Sequence, residues 1–274
     1  MAVSSQIIYS GKNPYTAMKL ISYILNAILQ AGMFLVIVLL PSIVLLALSQ
    51  FCSSFMRTRI ARAISVKTFI YITAIGTVIH ECGHAVFCII FRHKIQKIKF
   101  FSPSEDGTLG SVTYTYNKKS IYQKIGLFFV GTGPVWFGLF VLFLISWLLL
   151  PSNVTHSSQT GLARVKEFAG YFFSLAVWCK WQTWLWVYLS LSIAAHITLS
   201  RPDIEGAWMG FVTLILTVLV VFLICGMFNG FFAKANKAAH FFAGNMMPVF
   251  IELVAVSIIA LIIGAIFSLF PRRR

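Results

Sequence analysis

The sequence predicts an all-α polytopic membrane protein with about six transmembrane helices and a small β-hairpin inserted after the second. Of the 274 residues, 59% are hydrophobic and only 11% are charged, and the mean hydropathy is +0.86. Soluble domains contain roughly 45–50% apolar and about 25% charged residues, so a water-soluble globule is excluded. The apolar content also excludes a disordered chain. Five cysteines, spread thinly along the chain, exclude a secreted disulfide scaffold.

Six apolar stretches are long enough to cross a bilayer, which takes about 20 mostly apolar residues. They cover residues 20–49, 68–91, 122–150, 171–199, 209–233 and 246–270. Pro41 predicts a kink within the first stretch. Because no internal repeat divides the chain and no cleavable signal precedes the first stretch, we expect residues 1–274 to form a single integral membrane domain.

The net charge of +15 comes from Lys and Arg residues in the short polar segments between the apolar stretches. In a six-span topology the side that holds both termini has more of these residues, which predicts that both termini are cytoplasmic. No nucleic-acid-binding module is visible, so we expect the lipid bilayer, and not nucleic acid, as a partner. The short loops favour a bacterial or archaeal plasma membrane.

One polar insert, at about residues 94–117, has the composition of two short strands. Ile95 and Ile98 precede a cluster of turn-forming residues at 102–107, and the β-branched and aromatic run 112–116 follows it. This order predicts a β-hairpin. Its edge could bind an extended peptide, or the hairpin is a structured loop without a ligand, and the sequence leaves both interpretations open.

The most specific feature is an H-E-x-x-H motif that runs from His80 to His84 inside the second apolar stretch. Positions i and i+4 share one face of a helix, so both imidazoles can reach one Zn²⁺. Glu81 can take a proton from a water molecule at the metal. Ionisable groups within an apolar span are costly and by default functional; the alternative is a polar cluster that holds helices together. Cys82 is expected to be a small buried residue, and Gly83 is expected to allow close helix packing.

A catalytic zinc site usually has three protein ligands and one open position, so a third ligand is expected elsewhere. Asp203 and Glu205 follow the fourth apolar stretch, which runs in the same direction as the second, so their depth can match that of the two histidines. Asp203 is favoured because it directly follows Pro202, which fixes the chain where the helix breaks. The other acidic residues fit less well by position: Glu105 and Asp106 in the hairpin turn, Glu167 on the opposite membrane side, and Glu252 within the last stretch.

This combination of a membrane-embedded H-E-x-x-H motif, a later Pro/Asp/Gly segment and six apolar stretches resembles the site-2 protease family of intramembrane zinc metalloproteases. The resemblance is strongest over residues 66–150 and 190–210. The run 131–134, Gly-Thr-Gly-Pro, is similar to a Gly-Pro element of that family. The resemblance implies the following roles: zinc ligands His80, His84 and Asp203, and general base Glu81.

The third-ligand segment departs from the family pattern, in which Asp is followed directly by Gly. Here Glu205 precedes Gly206, so Glu205 stays an alternative ligand. The family's upstream Asn is absent, and His196 lies seven residues before Asp203. His196 could support the metal or the substrate from outside the ligand set, or it could form a hydrogen bond between helices.

The sequence therefore predicts a zinc-dependent intramembrane endopeptidase with Zn²⁺ as cofactor. Its expected substrate is a membrane-spanning or membrane-adjacent protein. Two alternatives remain. One is a membrane zincin of another type that uses a Glu as third ligand. The other is a non-proteolytic metal-binding membrane protein, either a transporter or a pseudoprotease.

Overall fold

The computed structural model describes residues 14–104, 107–151, 166–167 and 170–268, which are mostly helical. The helices, in chain order, are α1 (Pro14–Ile64), α2 (Val66–Ile72), α3 (Ala74–Ile90), α4 (Ile121–Gly131), α5 (Gly133–Leu149), α6 (Leu175–Trp178), α7 (Trp181–Ala194), α8 (Arg201–Cys225) and α9 (Phe231–Ser268). Strands β1 (Lys94–Lys99) and β2 (Ser111–Thr115) lie between α3 and α4. Glu105 and Asp106, expected in the hairpin turn, lie outside the described residues.

Two of these helices are long and apolar enough to cross a membrane, namely α8 and the Ala17–Val44 part of α1. Two bent pairs, α2 with α3 (63°) and α4 with α5 (60°), pass the same test when each is taken as one span. Large apolar side chains of α1 and α8 such as Leu25 and Leu216 are exposed, as lipid-facing residues are. The described residues thus contain two to four candidate spans, consistent with an integral membrane protein.

The six-span topology is not confirmed and stays a prediction. The stretch 171–199, expected as one span, contains α6 and α7, and neither helix is long enough to cross a bilayer. Among the residues of α9 whose side chains are described, the apolar segment Glu252–Ile266 is shorter than a span. The helix α1 runs through Pro41 without ending there and extends well beyond the predicted stretch 20–49.

The expected β-hairpin is present. Strands β1 and β2 pair antiparallel, with Lys94 opposite Thr115 and Lys99 opposite Ser111, and one irregularity interrupts the register of β1. From Val112 to Thr115 the side chains of β2 alternate, since Val112 and Tyr114 are partly buried and Thr113 and Thr115 are exposed. The buried face of β2 lies against α3, so the hairpin covers the helix that carries the H-E-x-x-H motif.

Small residues allow the helices around α3 to approach closely. A Cβ atom at Gly83 would lie 2.7 Å from the backbone oxygen of Gly133 and 2.7 Å from Cα of Pro134. This contact confirms the expectation that Gly83 permits close helix packing. A Cβ atom at Gly131 would lie 2.5 Å from the backbone oxygen of Asp203. The Gly-Pro element at 131–134 therefore lies between α3 and the start of α8, at the bend that joins α4 to α5.

Candidate metal centre

Three side chains from two helices converge at one point. His80 and His84 come from α3 and Asp203 from the first turn of α8, and one ligand atom of each lies within 4.8 Å of the other two. Nε2 of His84 is 3.3 Å from Nε2 of His80 and 3.3 Å from Oδ1 of Asp203. His84 is buried, and the other two are partly buried. This group could hold a metal ion.

Backbone carbonyls determine the tautomers of both imidazoles. Nδ1 of His80 lies 2.8 Å from the oxygen of His196, and Nδ1 of His84 lies 2.8 Å from the oxygen of Val130. A carbonyl oxygen only accepts hydrogen bonds, so each Nδ1 carries a proton, and in the neutral form of each ring Nε2 is the nitrogen that has a lone pair for a metal. Two nitrogen lone pairs and a carboxylate oxygen thus face one another. A single proton between two of these atoms leaves the third without a partner, whereas one bound cation can accept a lone pair from all three atoms.

The backbone carbonyl of Val130 can accept a hydrogen bond from His84 because a proline lies four residues after it. In a continuous helix the oxygen of Val130 would accept from the backbone N–H of residue 134, but Pro134 has no N–H. Helix α4 ends at Gly131, and the oxygen of Val130 is left to accept the Nδ1 proton of His84. The bend in the Gly-Pro element thereby orients one of the candidate ligands.

The backbone carbonyl that accepts a hydrogen bond from His80 belongs to the segment that connects α7 to α8. Helix α7 ends at Ala194, and α8 begins at Arg201. The oxygen of His196, in this connection, accepts from both the backbone N–H of Thr198 (2.7 Å) and Nδ1 of His80. Non-helical backbone is tolerated at membrane depth where it is covered by protein or lines a cavity, and residues 196 and 198 line the cavity described below.

Asp203 is oriented by a capping box at the start of α8. Its Oδ2 accepts from the backbone N–H (2.8 Å) and the hydroxyl (2.6 Å) of Ser200, and its own N–H donates to that hydroxyl (3.3 Å). With Oδ2 engaged, Oδ1 is the oxygen that faces His84. The sequence predicted that Asp203 lies at the end of the fourth apolar stretch, where its helix breaks. The structure corrects this, because Pro202 and Asp203 belong to the first turn of the next helix, where Pro is favourable.

Glu81 lies beside this group without joining it. Its side chain is 6% exposed and lines the same cavity as the two histidines. The hairpin touches it directly, because a Cβ atom at Gly110 would lie 2.6 Å from Cγ and 2.9 Å from Oε1 of Glu81. Only a glycine at this position leaves room for the carboxylate. The hairpin thus approaches, just before β2 begins, the residue that the sequence predicts to be the general base.

A cavity of about 590 Å³ opens in front of the His-His-Asp group. Its wall is shared by α3, the segment from Gly107 to Tyr114 and the start of α8. Polar side chains such as Thr77 and Ser111 alternate with apolar ones such as Leu109 and Val112. A mostly pre-formed pocket with a few convergent polar groups is typical of a binding or active site.

The other residues singled out from the sequence are distributed as follows. His196 is buried, lines the cavity and has its Nδ1 3.1 Å from the oxygen of Ser192, so it lies beside the three-residue group. Glu205 is exposed and does not line the cavity. Cys82, which the sequence predicted to be buried, is only partly buried and carries a free thiol. Glu252 is buried in α9, outside the cavity lining.

Sequence reasoning missed Gly110 and Tyr114, which the hairpin brings into the cavity. The period-two alternation of β2 could have indicated that Val112 and Tyr114 share one face, but it could not show what that face covers. Burial raises the pKa of Tyr114 to about 12, and the nearby Cys88 and Asp203 act in the same direction. The phenol therefore stays protonated at neutral pH.

The fold and this centre define a class, namely a helical protein with candidate membrane spans and a buried His-His-Asp group that could hold a metal ion beside a carboxylate. Comparison of the chain with known protein families, with curated proteins and with solved structures found no match. The inference about function therefore depends on the geometry of the centre itself.

Proposed function

We propose that this chain is a zinc-dependent intramembrane endopeptidase of the site-2 protease type, which hydrolyses peptide bonds of membrane-spanning or membrane-adjacent proteins. One observation supports the proposal most directly. The Nε2 atoms of His80 and His84 and Oδ1 of Asp203 converge in a cavity that also contains the buried carboxylate of Glu81.

The donor set fits zinc. Two imidazole nitrogens and one carboxylate oxygen are ligands that Zn²⁺ takes in catalytic sites, which keep a fourth position open. Among the described residues no further His, Cys, Asp or Glu belongs to the group. A structural zinc site would have four protein ligands, so a three-residue group that opens on a cavity favours a catalytic centre.

The chemistry then requires a base that is not a ligand. Bound zinc would make a water molecule acidic near neutral pH and would polarise the carbonyl of the scissile peptide bond. Glu81 accepts the proton of the attacking water and later donates it to the amine nitrogen as the C–N bond breaks. The burial of Glu81 beside Gly110 holds the carboxylate at the wall of the cavity, on the side of the hairpin.

The third ligand in this proposal is Asp203. Glu205 is exposed and lies outside the cavity lining, whereas Ser200 orients the carboxylate of Asp203 toward His84. This difference disfavours a membrane zincin that uses Glu205. The hairpin forms one wall of the cavity, and a role of its edge in binding an extended substrate peptide remains a proposal.

The proposed enzyme crosses the bilayer six times, with both termini in the cytoplasm, in a bacterial or archaeal plasma membrane. The two candidate spans support two of these crossings, and each bent pair would supply one more if it is a single span. The site then lies at the cytoplasmic ends of its spans, where a substrate helix that unwinds locally can present its backbone.

The test uses the purified full-length chain in detergent, with zinc content measured by mass spectrometry and proteolysis measured with dye-quenched casein. We expect about one zinc per chain and proteolysis that is lost in Glu81→Gln, which keeps its zinc because a general base is not a ligand. The matched control is Glu205→Gln, which alters an exposed acid and should retain full activity. Zinc binding without any Glu81-dependent proteolysis would contradict the proposal and favour a transporter or a pseudoprotease.

A further inference from the structure

One side chain that lines the cavity, that of Tyr114, has no role in the reaction proposed above. Tyr114 lies on the inner face of β2, next to Val112 on the same face, and both line the cavity. Its ring is partly buried, and its hydroxyl makes no hydrogen bond to the described part of the chain. Tyr116 continues the same face, but it does not line the cavity, and its hydroxyl donates to Sδ of Met209 (3.7 Å).

The imidazole of a buried histidine packs against the ring of Tyr114. The imidazole of His93 stacks on Tyr114 (centroids 5.3 Å apart, planes at 26°) and on Tyr116 (5.7 Å, 30°). His93 is itself held, because its Nε2–H donates to the backbone oxygen of Gln123 (2.9 Å). The position of the phenol therefore depends on ring stacking and not on its hydroxyl, which remains available to a ligand.

The other hydroxyls of the cavity are less suited to bind a ligand. The hydroxyl of Ser200 donates to Asp203, and the hydroxyl oxygen of Thr77 is buried in the wall and has almost no solvent-accessible surface. Thr108 and Thr198 already have interactions within the chain. Ser111 is a free candidate, but an aliphatic hydroxyl is a weaker hydrogen-bond donor than the more acidic phenol of Tyr114.

We propose that the hydroxyl of Tyr114 donates a hydrogen bond to the carbonyl oxygen of the scissile peptide bond and to the oxyanion that develops on it. This inference rests on the proposed function. Water adds its oxygen to the carbonyl carbon and gives one proton to Glu81, and the C=O π electrons move onto the carbonyl oxygen. When the C=O bond re-forms, the C–N bond breaks, and the amine nitrogen takes the proton from Glu81. Tyr114 keeps its own proton throughout, because its role is to stabilise the developing charge.

The experiment compares two tyrosines that stack on the same histidine, of which only Tyr114 lines the cavity. Tyr114→Phe and Tyr116→Phe both keep a ring that stacks on His93, and only the first removes a hydroxyl from the cavity. With dye-quenched casein we expect Tyr114→Phe to lower kcat by about 100- to 1000-fold, as loss of an oxyanion donor does. We expect KM and zinc content to stay unchanged. Tyr116→Phe should have the kcat of the wild type.

A second readout does not depend on turnover. A peptide phosphinate mimics the tetrahedral oxyanion, so its affinity should fall in Tyr114→Phe by a factor comparable to the fall in kcat, and it should not change in Tyr116→Phe. Thermal unfolding of the two variants should be the same. A Tyr114→Phe protein that unfolds at a lower temperature than Tyr116→Phe, or that loses zinc, would show a structural role for the hydroxyl and overturn the inference.

The failure of this inference is distinguishable from the failure of the proposed function. If casein proteolysis depends on Glu81 and Tyr114→Phe is as active as Tyr116→Phe, only the role of Tyr114 is wrong. If the wild type shows no Glu81-dependent proteolysis, the proposed function fails, and the role of Tyr114 fails with it.

Discussion

Oδ1 of Asp203 lies 3.3 Å from Nε2 of His84, although the two residues belong to different helices. The contact depends on a third helix, because Gly131 in α4 has no side chain where the backbone of Asp203 passes. A Cβ atom there would lie 2.5 Å from the backbone oxygen of Asp203. The proposed metal centre is thus assembled where α3, α4 and the first turn of α8 meet.

The first prediction concerns the third ligand. Asp203→Ala should lower zinc affinity by more than about 100-fold, since changes in groups that merely support ligands already cost 10- to 100-fold. Glu205→Ala, on the same turn of α8 but exposed, should bind zinc as the wild type does. Competition with a chromophoric chelator measures both affinities. The reverse ranking would assign the ligand to Glu205 and favour a zincin of another type.

The second prediction concerns the capping box. Ser200→Ala removes the hydroxyl that holds Oδ2 of Asp203, so zinc affinity should fall by about 10- to 100-fold. The loss of the cap should also destabilise the start of α8 by about 1 kcal/mol. The control is Thr213→Ala, whose hydroxyl donates to the oxygen of Met209 farther along the same helix. Equal zinc affinity in the two variants would show that the cap does not orient the ligand.

The third prediction concerns helix packing behind the motif. Gly83→Ala places a methyl group 2.7 Å from the backbone of Gly133 and Pro134, so the helices must separate. We expect a loss of about 1–3 kcal/mol of stability, as overpacking of a core typically costs. Gly32→Ala in α1, where nothing lies within 4 Å of the new methyl, should be neutral or slightly stabilising. Thermal unfolding in detergent compares the two, and an undiminished midpoint for Gly83→Ala would contradict the packing.

The fourth prediction concerns the hairpin and the base. Gly110→Ala introduces a methyl group 2.6 Å from Cγ of Glu81, which displaces the carboxylate. The value of kcat should fall by about 100-fold, because a misplacement of about 1 Å can cost this much. Zinc content should not change, since Glu81 is not a ligand in the proposal. Thr113→Ala, on the exposed face of β2, should keep full activity. Zinc loss in Gly110→Ala would mean that the hairpin supports the ligands themselves.

The fifth prediction concerns topology. Helix α8 has 25 residues and begins at the cavity that the hairpin covers, and at 1.5 Å per residue it is about 37 Å long. A cysteine at Ser104 should therefore react with an impermeant thiol reagent from the cytoplasmic side, and one at Asn229 from the opposite side, in a background without native cysteines. Labelling of both from the same side would rule out α8 as a span, and the reversed pattern would invert the topology.

Local features of the fold could be predicted because they depend on short-range geometry. The i, i+4 spacing of His80 and His84 predicts a shared helix face, and the structure has both on α3. The run of β-branched and aromatic residues around a turn predicts the hairpin. The number of spans could not be predicted in the same way, because an apolar stretch such as 171–199 can fold into short helices as well as into one long one.

The prediction for the residues at the start of α8 was wrong. Ser200, Pro202 and Asp203 have the order of a helix N-terminus, with a cap, a first-turn proline and an acid at the third position. The apolar stretch that precedes them suggested instead the end of a helix. The signal for the capping box was present in the sequence, and it would have shown which carboxylate oxygen is engaged and which one is available.

The sequence by itself determined that the chain is strongly apolar, that two histidines and a glutamate form an H-E-x-x-H motif on one helix, and that a β-hairpin follows. These properties depend on composition and on residues a few positions apart. Only the tertiary structure decided that Asp203, and not Glu205, lies beside the two histidines. It also decided that the backbone oxygens of Val130 and His196 orient the two imidazoles. It further showed that Gly110 and Tyr114 line the cavity. Each of these contacts joins residues far apart in the chain, and its geometry depends on how closely small residues such as Gly83 and Gly131 allow the helices to approach.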